Sequence, residues 1–215
     1  MQFFLDTASL DEIKRYAAYG MVDGVTTNPS LAAKEKGVSF EKRIKDILKV
    51  VKGPVSVEVV ATDTKGMVRE GQKFAKWGKN VVVKIPMTFE GLAAVQILSR
   101  AKIHTNVTLV FSSSQALLAA KAGATYVSPF IGRLDDIAED GMGLIRDIME
   151  IFRHYSFKTE VLVASVRHPR HVVEAARLGA HVCTMPAEIL DKLVHHPLTD
   201  KGLAKFLSDW KTVKK

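Results

Sequence analysis

The chain alternates between short apolar runs and longer stretches in which apolar residues recur every three or four positions. The runs are strand-sized and rich in β-branched residues, whereas the stretches have the spacing of one buried helix face. Eight runs are present, at residues 2–6, 24–26, 55–59, 81–85, 105–110, 125–128, 161–165 and 181–184. This alternation predicts parallel strands joined by right-handed crossovers.

Eight strand and helix units in 215 residues fit a closed (β/α)8 barrel, or TIM barrel, better than an open sheet. The predicted fold class is therefore α/β, with residues 1–215 forming a single catalytic domain. Residues 199–213 carry Leu203, Phe206, Leu207 and Trp210 at helical spacing. They predict an extra C-terminal helix that packs on the outside of the barrel or on a neighbouring subunit.

The composition is that of a soluble globular protein, with 47% hydrophobic and 25% charged residues. No apolar run approaches the roughly 20 residues that cross a membrane, and the N-terminus lacks a basic leader region. A cytoplasmic protein without a membrane partner is therefore expected. The single cysteine, Cys183, excludes an internal disulfide and a multi-cysteine metal site, and we expect it in the core.

The formal net charge of +8 is compatible with polyanions and with small phosphorylated substrates. Most lysines are dispersed along predicted helices, and aromatic residues are not interleaved with them as on a nucleic-acid-binding surface. The net charge alone does not choose between these partners; the dispersed lysines are typical of solvated helix faces, and we expect no nucleic acid. A basic nucleic-acid-binding barrel is the remote alternative.

One lysine, Lys84, lies near the end of the β-branched run at residues 81–85, just before Pro86. Such a run is typical of a strand buried on both faces, where an ionised amine without a partner is costly. The lysine either reaches water at the strand end or loses its proton and becomes nucleophilic toward carbonyls. This stretch alone leaves both possibilities open.

The other strand ends favour a functional site, because the C-terminal ends of barrel strands meet on one face. Seven of the eight strands end in polar or ionisable groups, and the eighth ends in Met185 and Pro186. In chain order the groups are Asp6, Thr27 and Asn28, Glu58, Lys84, Asn106 and Thr108, Ser128 with Phe130 and Arg133, and Ser165 with Arg167. An ion-pair cluster could explain the charges inside the barrel, but not two loop arginines whose guanidinium groups suit a phosphate.

These groups fit Schiff-base aldol chemistry without a metal or a cofactor. A neutral Lys84 would attack a ketose carbonyl and form an iminium that acts as an electron sink. A carboxylate must accept the hydroxyl proton as the carbon–carbon bond breaks, and a held water must serve the carbinolamine. Asp6 and Glu58 are the candidates for these two roles, with Thr108 positioning the water.

The chain resembles the transaldolase family, in its short-chain branch that includes the fructose-6-phosphate aldolases. The segment GVTTNPSL at residues 24–31 resembles the first family signature, although Ala32 is smaller than the aliphatic residue usual after it. The segment VVKIPMT at residues 82–88, followed by Glu90 and Gly91, resembles the second. The resemblance extends over essentially the whole chain, including residues 6–7, 127–130 and 164–167, and it implies the same (β/α)8 barrel.

The resemblance also implies a role for each matched residue. Lys84 would form the Schiff base, Asp6 would be the acid and base on the sugar hydroxyl, and Glu58 and Thr108 would hold the water. Asn28, Asn106 and Ser128 would bind substrate hydroxyls, and Arg133, Ser165 and Arg167 would bind the phosphate. Aldolases of the branch carry glutamine at position 58 and tyrosine at position 130, so Glu58 and Phe130 indicate a transaldolase.

The resemblance therefore implies transfer of a dihydroxyacetone unit between sugar phosphates of the pentose phosphate pathway. The donor would be sedoheptulose 7-phosphate or fructose 6-phosphate, and the acceptor glyceraldehyde 3-phosphate or erythrose 4-phosphate. The alternative is a fructose-6-phosphate aldolase that releases free dihydroxyacetone. The branch also forms pentamers, sometimes stacked as decamers, which implies a homo-oligomer with the C-terminal helix as a contact.

Two histidines, His168 and His171, follow the seventh strand at a spacing of three residues. No third metal ligand is near them in the sequence. We therefore expect both side chains at the surface rather than in a metal site.

Overall fold

Eight parallel strands form a closed barrel in the computed structural model, which describes residues 1–35 and 37–213; Lys36 and residues 214–215 of the predicted domain lie outside the described residues. The strands are β1 (Gln2–Asp6), β2 (Gly24–Thr26), β3 (Val55–Glu58), β4 (Val81–Pro86), β5 (Thr105–Val110), β6 (Tyr126–Pro129), β7 (Glu160–Val163) and β8 (Val182–Met185). Each strand pairs with the next along the chain, and β1 pairs with β8. The predicted fold class is confirmed, with strand ends within two residues of those predicted.

Helices follow the strands and cover the outside of the barrel. They are α1 (Leu10–Ala18), α2 (Pro29–Ala32), α3 (Phe40–Val50), α4 (Thr64–Ala75), α5 (Phe89–Arg100), α6 (Ser113–Ala122), α7 (Ile131–Asp135), α8 (Gly141–His154), α9 (Pro169–Arg177), α10 (Ala187–Val194) and α11 (Pro197–Trp210). Local chemistry fixes their ends. Thr88 caps α5 by accepting a hydrogen bond from the Gly91 N–H, and Gly123 ends α6 in the left-handed region at φ +89°.

The barrel interior has an apolar lower layer toward the N-terminal ends of the strands. This lower layer consists of Phe4, Val82, Tyr126, Leu162 and Val182, all buried and packed together. Gly24 on β2 leaves room for it, because a Cβ there would lie 2.6 Å from the Phe4 ring. A second core, between the strands and the helices, contains Cys183 as expected. The strands are therefore buried on both faces.

The last helix, α11, confirms the predicted C-terminal helix, with bounds two to three residues away from the prediction. None of its residues is buried, and Leu203, Phe206, Leu207 and Trp210 are each more than half exposed. The helix therefore buries no side chain against its own barrel. Among residues 1–35 and 37–213, no helix is long and apolar enough to cross a membrane.

Candidate active site

Lys84 lies at the centre of the site because β4 carries it inward, two residues beyond Val82 of the lower layer. The residue is 4% exposed. Its Nζ lies 3.0 Å from Glu58 Oε2 and donates a hydrogen bond of 3.3 Å to the Thr27 carbonyl. Glu58 is opposite Lys84 in the β3–β4 register, so the pairing follows directly from the sheet. The buried amine thus has a proton acceptor within hydrogen-bond distance.

Asp6 ends β1 on the same face and lines the same cavity as Lys84. Burial raises the pKa of Asp6 above its ordinary value of 3.8, although the Lys84 charge, a hydrogen bond from Thr26 and the Lys34 charge each act to lower it. The Thr26 hydroxyl donates to Asp6 Oδ1 at 2.8 Å and lies 2.6 Å from the Thr184 hydroxyl. A carboxyl group with a raised pKa is suited to accept a proton and return it within one reaction.

Thr108 occupies an irregular part of β5. The β5–β6 register shifts between Val107 and Val110, and Leu109 has a φ of +60°. Such bulges redirect side chains next to active sites. Thr108 is 1% exposed, and its Oγ1 has no hydrogen-bond partner among the described residues. A buried hydroxyl of this kind suits an ordered water, and Glu58 lines the same cavity.

Asn106 differs from the other predicted substrate ligands because it lies beneath the cavity. It is fully buried, its Nδ2 donates to the Ser56 hydroxyl at 3.2 Å, and its Oδ1 accepts from the Ser128 hydroxyl at 2.7 Å. Ser128 lines the cavity directly. The observed contacts of Asn106 therefore position Ser128, and its predicted contact with a substrate hydroxyl stays a prediction.

Asn28 and Phe130 lie at the cavity wall. The Asn28 side-chain oxygen caps α2 by accepting from the Leu31 N–H at 2.9 Å. The Phe130 ring packs edge-on against Phe111, with ring centroids 5.9 Å apart, and the Arg133 guanidinium lies 5.0 Å from its centroid. Phe130 therefore contributes an apolar surface next to the Arg133 cation.

The predicted phosphate ligands Arg133, Ser165 and Arg167 line the same cavity as Lys84. Arg133 lies on α7, whereas Ser165 and Arg167 lie on the loop between β7 and α9. Arg167 Nη2 also lies 2.8 Å from Asp136 Oδ2, in a pair whose side chains are both about half exposed. The structure thus brings two guanidinium groups to one end of the cavity, a suitable arrangement for an anion.

The sequence prediction was wrong at two positions. After β8, Pro186 lines the cavity as predicted, but Met185 is fully buried in the outer core and Thr184 faces the cavity instead. Because Val182 faces inward, period-two alternation also turns Thr184 inward. The predicted strand ended at residue 184, one residue before the observed end, and Thr184 was therefore not considered. His171 is 5% exposed rather than at the surface, because its ring packs against Asp135 and His168.

A family model described as transaldolase/fructose-6-phosphate aldolase matches residues 3–215 of the chain. A protein from Anaeromyxobacter sp. (strain Fw109-5), named probable transaldolase, is 62% identical over 215 residues, which are 100% of both chains. A protein of the same name from Methanococcus maripaludis (strain S2) is 61% identical over 210 residues, covering 98% of this chain and 97% of that one.

Among solved structures, inosine 5'-monophosphate dehydrogenase from Legionella pneumophila has the same barrel. Its TM-score is 0.62 at 11% sequence identity, over 88% of this chain and 58% of that chain. At this identity the likeness concerns the fold alone.

Proposed function

The chain belongs to the transaldolase/fructose-6-phosphate aldolase family, and on this basis we propose that it is a transaldolase that transfers a dihydroxyacetone unit between sugar phosphates. The donor is sedoheptulose 7-phosphate or fructose 6-phosphate, and the acceptor is glyceraldehyde 3-phosphate or erythrose 4-phosphate. These substrates belong to the pentose phosphate pathway. The observation that carries the proposal is the buried Lys84 amine, 3.0 Å from the Glu58 carboxylate and on one cavity with Asp6 and two arginines.

In the donor half-reaction, the Lys84 amine attacks the C2 carbonyl of the ketose and forms a carbinolamine. Glu58, next to Nζ, accepts the amine proton and, with a water held by Thr108, returns a proton to the leaving hydroxyl. The resulting iminium accepts the electron pair of the C3–C4 bond as that bond breaks. Asp6 takes the C4 hydroxyl proton, and the aldose phosphate leaves.

In the acceptor half-reaction, the enamine left on Lys84 attacks the aldehyde carbon of a second aldose phosphate. Asp6 returns its proton to the new alkoxide, and hydrolysis of the iminium releases a ketose phosphate that has three more carbons than the acceptor. The raised pKa of Asp6 supports this double role, because both proton transfers use the same carboxyl group. Asn28, Asn106 and Ser128 are assigned to the sugar hydroxyls, and Arg133, Ser165 and Arg167 to the phosphate.

Phe130 favours transfer over release of free dihydroxyacetone. Its ring gives no hydroxyl to a water near the enamine, so the intermediate persists until an acceptor aldehyde arrives. A tyrosine at this position could help to protonate the enamine. The rival function, fructose-6-phosphate aldolase, is therefore distinguished by whether fructose 6-phosphate is cleaved without an acceptor.

The test compares the wild type with Phe130→Tyr on fructose 6-phosphate, with and without erythrose 4-phosphate. We expect the wild type to turn over only with the acceptor, and the variant to release more dihydroxyacetone and transfer less. Phe111→Tyr, which alters the neighbouring ring, is the matched control and should leave the ratio unchanged. Sustained cleavage by the wild type without an acceptor would make the protein an aldolase. An unchanged ratio in Phe130→Tyr would remove the assigned role of Phe130.

We further propose that the protein is a homo-oligomer, a pentamer or a pair of stacked pentamers, in which α11 packs on another copy. The exposed apolar side chains of α11 support this, because a monomer rarely leaves such a continuous apolar surface in water. Light scattering after size-exclusion chromatography measures the mass. Deleting residues 197–215 should shrink the particle, whereas an unchanged mass would exclude α11 as a contact.

We also propose the cytoplasm as the compartment. Cys183 is unpaired and buried, and burial raises the pKa of its thiol to about 12, so it is an inert core residue. A chain with one inert thiol and no disulfide is usual in a reducing compartment.

A further inference from the structure

Building on the proposed function, we propose that His171 is a positioning residue that sets the geometry of the phosphate-binding arginines by fixing the backbone of Arg167. His171 touches neither the cavity nor Lys84, so its effect would pass through the loop between β7 and α9. The inference concerns how tightly a phosphorylated substrate is held, not the chemical step.

Two hydrogen bonds fix the His171 ring. Its Nδ1 accepts from the Arg167 backbone N–H at 3.3 Å, and its Nε2 lies 3.0 Å from Asp135 Oδ2. An imidazole that accepts at Nδ1 is neutral and carries its proton on Nε2, so it donates to Asp135. Asp135 is held in turn, because its Oδ1 accepts from the Gly141 N–H at 3.1 Å.

The surroundings of His171 favour this neutral form. Burial and the neighbouring His168 lower the pKa of His171, while Asp135 and Glu174 act in the opposite direction and are outweighed. His168 occupies the N-cap position of α9 but makes no side-chain cap hydrogen bond, and its ring centroid lies 3.7 Å from that of His171. His171, at the third position of that helix, therefore supplies the side-chain contact that ties the loop to the helix.

The same network joins the two arginines. Asp135 ends α7, which carries Arg133, whereas His171 holds the loop that carries Arg167. The loop also lies directly against α7, because the Gly132 N–H donates to the Ser165 carbonyl at 3.1 Å. A Cβ at Gly132 would lie 2.1 Å from that oxygen and 2.7 Å from Arg167 Cγ. The spacing of the two guanidinium groups thus depends on the close seating of this loop.

The loop between β7 and α9 needs such support because one of its residues has an unfavourable backbone conformation and its ion pair at the surface is weak. Ser165 has a φ of +61°, in the left-handed region that non-glycine residues rarely adopt. The Arg167–Asp136 ion pair is about half exposed and contributes little to holding the loop. The buried His171 contacts are therefore the stronger constraint on where Arg167 lies.

The test uses two substitutions that separate the two ring contacts. His171→Gln keeps a donor near the position of Nε2 for Asp135 but lacks the acceptor for the Arg167 N–H. His171→Asn keeps an acceptor near the position of Nδ1 and serves as the rescue variant. His195→Gln, at an exposed histidine that follows α10 and does not line the cavity, is the matched control. The kinetic constants kcat and KM are measured for each protein with fructose 6-phosphate and with unphosphorylated fructose as donor.

We expect His171→Gln to raise KM for fructose 6-phosphate about 3- to 10-fold, the loss expected for one hydrogen bond. Its kcat, and its kcat/KM with fructose, should remain those of the wild type, because fructose brings no phosphate to the arginines. His171→Asn and His195→Gln should stay within about twofold of the wild-type KM.

Three results would overturn the proposal. An unchanged KM in His171→Gln, while the wild type still prefers fructose 6-phosphate, would refute the positioning role and leave the proposed function intact. Equal losses with both donors, together with a lower melting temperature, would assign His171 to general stability. Third, a wild type that does not prefer the phosphorylated donor would have no phosphate site for His171 to position. A separate outcome, no transfer from fructose 6-phosphate, would refute the proposed function itself.

Discussion

The lower layer and the catalytic end of the barrel occupy the same strands, two residues apart, and yet have opposite chemistry. Phe4 is followed inward by Asp6, and Val82 by Lys84. Tyr126 is likewise followed by Ser128, and Val182 by Thr184. Because inward side chains alternate with outward ones, a step of two residues moves along one face of the strand. The same backbone thus carries a hydrocarbon core at one end and ionisable groups at the other.

The two regions differ in what their side chains contribute to the protein, namely stability of the fold in one and chemical groups in the other. Apolar side chains of the lower layer stabilise the fold by leaving water, and they need no polar partners. The charges at the catalytic end are costly to bury, so each has a specific neighbour: Glu58 for Lys84, and Thr26 for Asp6. We infer that substitutions in the lower layer change mainly the free energy of unfolding, whereas those at the catalytic end change mainly the reaction.

The largest effect is expected for Lys84→Met, which removes the amine but keeps an unbranched side chain of similar length. Transfer activity should fall by about four orders of magnitude or more, because the covalent intermediate cannot form. The barrel should still fold, since Glu58 at the cavity can be hydrated once its partner is lost. Activity assays and a circular dichroism spectrum measure the two properties.

An exposed lysine, Lys79, provides the control for this loss. Lys79→Met, in the segment before β4, should keep wild-type activity because its side chain is remote from the catalytic cavity. Appreciable transfer by Lys84→Met would show that the reaction does not pass through that amine.

The second-largest effect is expected for a substitution in the lower layer. Leu162→Ala leaves a cavity in the fully buried interior and should lower the free energy of unfolding by about 3 kcal/mol. Its kcat at a temperature where the protein stays folded should change little. Leu118→Ala on α6, where the side chain is 44% exposed, should cost much less. Chemical denaturation measures both variants, and a large loss of kcat in folded Leu162→Ala would contradict the separation of the two regions.

The smallest effect is expected for Thr26→Val, which removes a hydrogen bond that favours the ionised form of Asp6. The pKa of Asp6 should therefore rise further. In the proposed mechanism the ionised carboxylate accepts the C4 proton, so activity should be lost as pH falls through that pKa, and the acidic limb of kcat/KM should move to higher pH. At pH values above the acidic limbs of both profiles, the wild type and Thr26→Val should have similar rates. A shift of the limb to lower pH would contradict the assignment of Asp6 as the base.

The sequence was sufficient to predict the barrel and the group around Lys84, because both depend on period-two alternation and on what ends each strand. Asp6, Glu58 and Lys84 follow from strand register alone. The two threonines beside Asp6 were missed as a pair, because Thr26 and Thr184 meet only when β1 lies between β2 and β8 in the closed barrel.

The contacts that hold the loop between β7 and α9 could not be predicted for a similar reason. His171 lies in α9 and Asp135 in α7, 36 positions apart in the chain, and only the packing of these helices brings them within 3.0 Å. A histidine in a polar stretch has no sequence signal that distinguishes a buried ring from an exposed one. Tertiary contact, not local pattern, decides its environment.

The most direct test of the central claim is to trap the covalent intermediate. The protein is incubated with fructose 6-phosphate and borohydride, and the modified peptide is identified by mass spectrometry, with Lys84→Met and a sample without sugar as controls. We predict one reduced adduct with the mass of the dihydroxyacetone unit or of the whole ketose phosphate, located on Lys84 and missing from both controls. An unmodified Lys84, or an adduct on another lysine that persists in Lys84→Met, would contradict the account.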